Sequence, residues 1–321
     1  MKFSLPYFFL ALLFCSIAGA QQPTTAEAPA TAEAPATEEV QEEVADYIRY
    51  VPAALDGDPD ILQSAVSRFT KDGVTVDLVS AVHLADEEYF KNMNALLKDY
   101  DAVLYELVGG KFQDRDPNAV AGGGGGNPGE SLAGIGGMQS LATRLLGLEF
   151  QLEGINYEAP NFVHADIDWK KYEELSAAKN ETMSTLLTRA MSMANAGGIK
   201  GLPADEAAMS QMLNMLMTAL MSGDSATLKR TIAPFLSQSE ALIAELEGED
   251  GTVLVSERNK VVMAKLKEVN GKAPGQKGTF AIFYGAGHMP DLENRLLAEG
   301  YSKGEVAWAN AWEIKDTPPD P

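Results

Sequence analysis

Three histidines, His83, His164 and His288, are the only imidazoles in this 321-residue chain, and each directly follows a short apolar run. In parallel strand-helix folds the strand ends share one edge, where ligands collect, so an imidazole delivered there is a candidate metal ligand or proton carrier. A carboxylate is offered in the same manner by AVLYELV (102–108), an apolar run interrupted by Glu106, whose charge would be costly to bury without a partner. The single cysteine, Cys15, lies in an N-terminal apolar segment read below as an export signal, so thiol chemistry is excluded from the mature chain. Two histidines and a glutamate suit Mn, Co, Fe or Zn, and ligand type alone does not choose among these ions.

The elements that must position these residues are legible as apolar runs with defined breaks. VTVDLVSAV (74–82) is β-branched, is bounded by Asp72-Gly73, and predicts a buried strand ending at His83. A helix follows from near Asp86, with Tyr89, Phe90, Met93, Leu96 and Leu97 on one face. Further strands are predicted at 102–108, at NFVHADID (161–168), at TFAIFYGAG (279–287) and at EVAWANAWEI (305–314). The order strand, His, helix, acidic residue, Tyr, strand occurs twice, around His83 with Tyr100 and around His288 with Tyr301. The expected fold is therefore α/β: two related strand–His–helix halves forming a mixed, mainly parallel sheet. If their strands are neighbours, both histidines converge on one edge. Gly285 and Gly287 would let the backbone turn and approach a ligand, and Pro290 suits a first helical turn.

Between about 170 and 270 the pattern is helical and rich in methionine, with Met183, Met191, Met193, Met209, Met212, Met215, Met217 and Met221. Such side chains serve either a groove for varied peptides or ordinary core filling. At the end of this helical stretch, Val255, Arg258, Val262 and Leu266 fall near one face, which points Arg258 inward. His164-Ala165-Asp166 ends a strand and supplies an orienting partner for the ligands, a third ligand, or simply a core histidine.

Residues 1–20 read as a signal peptide, with Lys2, an apolar stretch and Ala18-Gly19-Ala20 before Gln21. Export to a periplasm or the medium is expected, or membrane anchorage if the signal is uncleaved. Residues 21–44 repeat TAEAPA and turn acidic, predicting a disordered linker. A folded domain is expected over 45–315, followed by an irregular tail at 316–321. The glycine-rich stretch 121–137 lacks the GK[ST] of a phosphate loop and is either a flap or a surface insertion. A net charge of −21 argues against nucleic-acid partners, and no basic amphipathic helix predicts a membrane surface after signal cleavage.

At these residues the sequence resembles the TraB/PrgY/TIKI family (GumN-like), which is marked by two Gly-x-x-His motifs, a glutamate and an arginine on a helix. GAGH (285–288) matches the second motif, YELV (105–108) resembles the glutamate motif, and SERNKVV (256–262) resembles the Glu-Arg-Asn helix. The first motif departs: Ser80-Ala81-Val82-His83 has serine where the family has glycine. The resemblance spans roughly 45–315. It implies a fold akin to erythromycin esterase and the ChaN haem-binding proteins. It further implies metal-dependent proteolysis with Mn or Co, on a peptide or small-protein substrate. Carried onto this chain, His83, His288 and Glu106 are the metal ligands and Arg258 stabilises an oxyanion or a substrate carboxylate. Asp86, Asp166, Asp168 and Glu257 are candidate proton acceptors, and Tyr284 and Gly285 adjoin the second motif. The competing reading is a protein of the same fold that sequesters a peptide or haem without turnover. Serine-esterase action is disfavoured, because no G-x-S-x-G motif is present.

Overall fold

The computed structural model describes residues 47–55, 57–109, 143–195, 206–248, 250–271 and 278–316. The expectations for the signal, the linker, the glycine-rich stretch at 121–137 and the last five residues lie outside the described residues.

The protein is α/β, built on one mixed sheet. Its strands are β1 (Ile48–Val51), β2 (Asp60–Lys71), β3 (Val74–Ala81), β5 (Ala102–Tyr105), β7 (Phe162–His164), β8 (Thr279–Gly285) and β9 (Ser302–Ile314). Two short strands, β4 (Leu84–Ala85) and β6 (Glu149–Phe150), pair apart from it. Strands β3, β8, β5 and β7 are mutually parallel neighbours in that order, whereas β2 runs antiparallel to β1, β3 and β9. Six of the seven strands therefore point the same way and β2 alone opposes them.

The parallel strands are the apolar runs of the sequence, and their burial explains why they are continuous rather than alternating. All of β5, and β8 from Phe280 onward, is buried, as β3 is from Val76, so both faces of the sheet are covered there. Asp77 within β3 is the exception among apolar neighbours. It is buried against its cross-strand partner Arg68, which donates two hydrogen bonds at 2.8 and 2.9 Å, and it also accepts from the Tyr100 hydroxyl at 2.7 Å.

The helices are α1 (Glu87–Leu97), α2 (Gln151–Gly154), α3 (Trp169–Lys179), α4 (Met183–Asn195), α5 (Glu206–Ser222), α6 (Ser225–Leu236), α7 (Ser239–Glu247), α8 (Arg258–Gly271) and α9 (Met289–Ala298). The described chain between β7 and β8 is thus helical, as its pattern predicts. On α5, Met215, Met217 and Met221 are 47%, 51% and 85% exposed, so these three do not fill a core. Among the described residues no helix is long and apolar enough to cross a membrane.

Several expectations are corrected. The predicted strand at 102–108 ends at Tyr105: Glu106 N still donates to Phe283 O, but the charged side chain turns out of the ladder. The strand at 161–168 shrinks to three residues, because Asp166 pairs with an arginine and Asp168 caps α3 through Lys171 N. Strands β1 and β2 were not foreseen, since β2 (DILQSAVSRFTK) mixes polar and apolar residues. The recurrence around the two histidines does not extend to the last strand of each unit. Strand β5 lies between β8 and β7, whereas β9 is held at the other side of the sheet by a long antiparallel match to β2.

Candidate functional site

The parallel register decides what meets at the sheet edge. Ala81 lies opposite Gly285, and Tyr105 lies opposite both Phe283 and His164. The carboxyl ends of β3, β8, β5 and β7 therefore deliver His83, His288, Glu106 and Asp166 to one place, as the general rule for open parallel sheets requires. The convergence foreseen for the two histidine strands is met by direct adjacency of β3 and β8.

Arg258 is the hub of this edge. Its side chain is wholly buried, and it begins α8 immediately after a π-helical turn (Val253–Glu257) capped by Thr252. Its Nε donates to Asp166 Oδ1 (2.9 Å), while Nη2 donates to Asp166 Oδ2 (2.6 Å) and Glu106 Oε1 (2.7 Å). Nη1 reaches Leu254 O (3.2 Å) and His288 Nε2 (3.3 Å). These five contacts match the five N–H donors of a guanidinium, which suits arginine and no other residue to this position. Burial alone would lower the Arg258 pKa, but Asp166 and Glu106 hold it well above its ordinary value.

Glu106 is also buried. Burial alone would raise its pKa, yet the Arg258 guanidinium, with the nearby imidazoles, holds the carboxyl well below the usual carboxylate range. Its second oxygen, Oε2, accepts from Gly285 N at 2.7 Å. His288 Nε2 stands 3.6 Å from Oε1. That separation is about what two ligands of one tetrahedral ion have when each bond is ~2.1 Å. His83 approaches from the other side: a Cβ placed on Gly285 would lie 3.3 Å from Glu106 Oε2 and 3.5 Å from His83 Nε2. Gly285 is not in the left-handed region, so its need for glycine is space beside these two groups rather than a special turn. Gly287 likewise keeps an ordinary φ, and a Cβ there would meet Ile243 Cδ1 at 2.2 Å. The expected role of both glycines in turning the backbone is thereby replaced by close packing.

Both imidazoles are held from behind by carboxamides. His83 Nδ1 lies 2.8 Å from Gln151 Oε1, and Gln151 Nε2 donates to the Tyr157 hydroxyl at 2.8 Å. His288 Nδ1 lies 2.7 Å from Asn259 Oδ1. Neither partner was singled out from the sequence. Asn259 sits within the quoted SERNKVV stretch, but Gln151 lies 68 positions from His83 and reaches it only because β6 pairs with β4.

Other residues expected at the site are placed differently. His164 Nε2 donates to Leu107 O at 2.7 Å, and its ring meets Tyr105 edge-on, so that nitrogen is committed to the backbone. Tyr284 donates to Ala165 O at 2.6 Å and packs against the His288 ring; burial, with Asp166 close by, pushes its hydroxyl pKa far up. Glu257 turns away to Lys260 (2.9 Å) and Lys179 (3.3 Å). Asp86 takes Lys229 Nζ and Glu313 N, and Asp168 caps α3. Of the four carboxylates considered as proton acceptors, Asp166 alone stands at the centre, and both its oxygens serve Arg258.

The donors at this edge are of kinds that bind divalent cations. Two buried carboxylates face one guanidinium, leaving a net negative charge that would attract a cation. As the side chains stand, no group of three or more His, Cys, Asp or Glu among the described residues is arranged to enclose an ion. The Arg258 Nη1 contact to His288 Nε2 competes for the imidazole electron pair an ion would use. Arg258 would remain anchored by Asp166 if that contact were surrendered. No family model, curated protein or solved structure matches this chain.

Proposed function

We propose that this protein is a metal-dependent hydrolase, a peptidase of the TraB/TIKI kind suggested by the sequence resemblance, acting after export. The observation that carries the reading is the meeting of His83, His288 and Glu106 at the ends of three adjacent parallel strands, beside a buried charge imbalance that a cation would offset. His83, His288 and Glu106 would hold the ion, which when bound supplies an activated water and polarises a carbonyl. Mn and Co are the first choices by resemblance, with Zn and Fe compatible with the same donors. The strand–His–helix recurrence is read as two related units that each bring one imidazole to the shared edge.

The chain's own residues divide the remaining work. Glu106, kept ionised by Arg258, suits an anionic ligand better than a general base, which needs a pKa near the operating pH. Arg258 Nη1, beside His288, is the donor placed to meet negative charge developing on a substrate oxygen. Asp166 holds the guanidinium plane by two bonds, and Gly285 leaves the space between Glu106 and His83 open. Next to Val255 and Gly287 a cleft of about 430 Å³ is lined by Glu247, Asp250 and Asp291 as well as Lys260 and Arg295. The net charge of −21 favours cationic peptides as substrates.

The test is metal content and turnover of the purified protein. Elemental analysis is paired with mass spectrometry of a peptide mixture incubated with and without Mn, Co or Zn. Metal-dependent cleavage, falling at least about 100-fold in both His83→Ala and His288→Ala, is expected. Stoichiometric metal or haem with no cleavage would replace this reading by sequestration, and absence of both would overturn the site.

A further inference from the structure

We infer that Gln151 and Asn259 are positioning residues that fix the tautomers of His83 and His288, so that each ring carries its proton on Nδ1 and turns the electron pair of Nε2 to the Glu106 side. The metal consequence rests on the function proposed above; the tautomers themselves do not.

The case is tightest at His288. Asn259 Nδ2 donates to His288 O at 3.1 Å and to Asp291 Oδ2 at 2.7 Å. Both partners only accept, so the amide cannot be turned over, and its Oδ1 must face the ring. An amide oxygen only accepts, so the Nδ1 it meets at 2.7 Å must carry the proton. Nε2 of the neutral ring is then an acceptor, in keeping with the N–H of Arg258 Nη1 that reaches it. At His83 the same pattern is built from different elements. Gln151 follows β6, its backbone N donates to His83 O at 2.9 Å, and its side chain is clamped between the His83 ring and Tyr157. The Tyr157 hydroxyl can donate or accept, so here the assignment follows the amide orientation in which Gln151 Nε2 donates to Tyr157 and Oε1 accepts from His83 Nδ1, and the spectrum below tests it directly.

The third histidine is an internal contrast. His164 Nε2 lies 2.7 Å from Leu107 O, a carbonyl that only accepts, so this ring carries its proton on Nε2. Two histidines with the electron pair on Nε2, both close to Glu106, contrast with one of the opposite tautomer that is tied to a backbone carbonyl. A metal bound through Nε2 needs this tautomer, and an outer partner on Nδ1 is what holds such a ring in orientation.

Because the chain has only three histidines, one long-range ¹H–¹⁵N spectrum of the chelator-treated protein, recorded well above the ordinary imidazole pKa, reads all three tautomers. Nδ1–H is expected at His83 and His288 and Nε2–H at His164. Gln151→Met should leave the folded spectrum intact while shifting His83 to a tautomer mixture; Asn259→Leu, in which Arg258 Nη1 still donates to His288 Nε2, should keep the Nδ1–H form but speed exchange of that proton with solvent. Gln151→Glu, which keeps an acceptor oxygen for the ring and another to which the Tyr157 hydroxyl can donate, should restore the Nδ1–H form of His83 even if the apolar variants fold poorly. Zn²⁺ affinity, measured by competition with a chromophoric chelator, should fall about 10- to 100-fold in the apolar variants. Nε2–H at His83 or His288 in the parent protein, an unchanged His83 tautomer in Gln151→Met, or unchanged exchange of the His288 Nδ1 proton in Asn259→Leu, would overturn the inference. A parent protein with the expected tautomers but no Zn²⁺ binding would refute the metal reading and leave the positioning role standing.

Discussion

Replacing Arg258 by methionine should turn the protein's acid sensitivity around. In the parent, Glu106 has a folded pKa well below its unfolded value near 4.3, so its contribution to stability is complete above that value. It is lost as the pH falls from there through the folded pKa. Arg258→Met removes all five donor contacts and leaves Glu106 and Asp166 buried with no guanidinium between them. Breaking a buried pair in this way costs about 3–5 kcal/mol, and with two carboxylates orphaned the upper end is expected at neutral pH. Burial, no longer opposed by the guanidinium, then raises the Glu106 carboxyl pKa above its unfolded value. The folded state now binds more protons than the unfolded state, so stability must increase as the pH is lowered from about 7 to 5. The slope contributed by Glu106 is bounded at about 1.4 kcal/mol per pH unit. Urea unfolding of chelator-treated parent and variant across that range measures both quantities. A loss below about 1 kcal/mol at neutral pH, or a variant whose stability does not rise between pH 7 and 5, would refute the picture of Arg258 as the hub. Arg258→Lys, which keeps the charge but not the planar fork, should recover part of the loss and none of the geometry.

Three further outcomes are expected. Ser80 Oγ is buried with no hydrogen-bond partner among the described residues, so Ser80→Ala should raise stability by about 1 kcal/mol in thermal or urea unfolding, and a loss would show that the hydroxyl is used. Gly285→Ala should fold but lower Zn²⁺ affinity and any hydrolysis at least about 10-fold, because the methyl enters the space beside Glu106 Oε2 and His83 Nε2; unaltered binding in the folded variant would refute the placement of the site. Gly287→Ala instead meets the end of the Ile243 side chain and should cost about 1–3 kcal/mol of stability by overpacking, with metal affinity in the folded fraction unchanged.

The parts of the fold that were legible in the sequence are those governed by local pattern. VTVDLVSA, AVLY and TFAIFYG are strands because β-branched and aromatic residues run without interruption where both faces are covered. Glu106 and Arg258 were legible as charges stranded among apolar residues, since such a charge is costly to bury alone and implies a partner. Which partner was not legible. Arg258 could have paired with its neighbours, but Glu257 turns to two lysines while Asp166, 92 positions away, takes the guanidinium.

By itself, then, the sequence determined the central strands, the inward face of α8 and the identity of the groups able to do chemistry, because each depends on a residue and its near neighbours. The tertiary structure alone decided that β3, β8, β5 and β7 stand side by side, that His164 spends its proton on Leu107, and that Gln151 stands behind His83. Strand order and side-chain hydrogen bonds join residues dozens to hundreds of positions apart. No local spacing encodes them, since they follow from how the whole sheet buries its apolar faces at once.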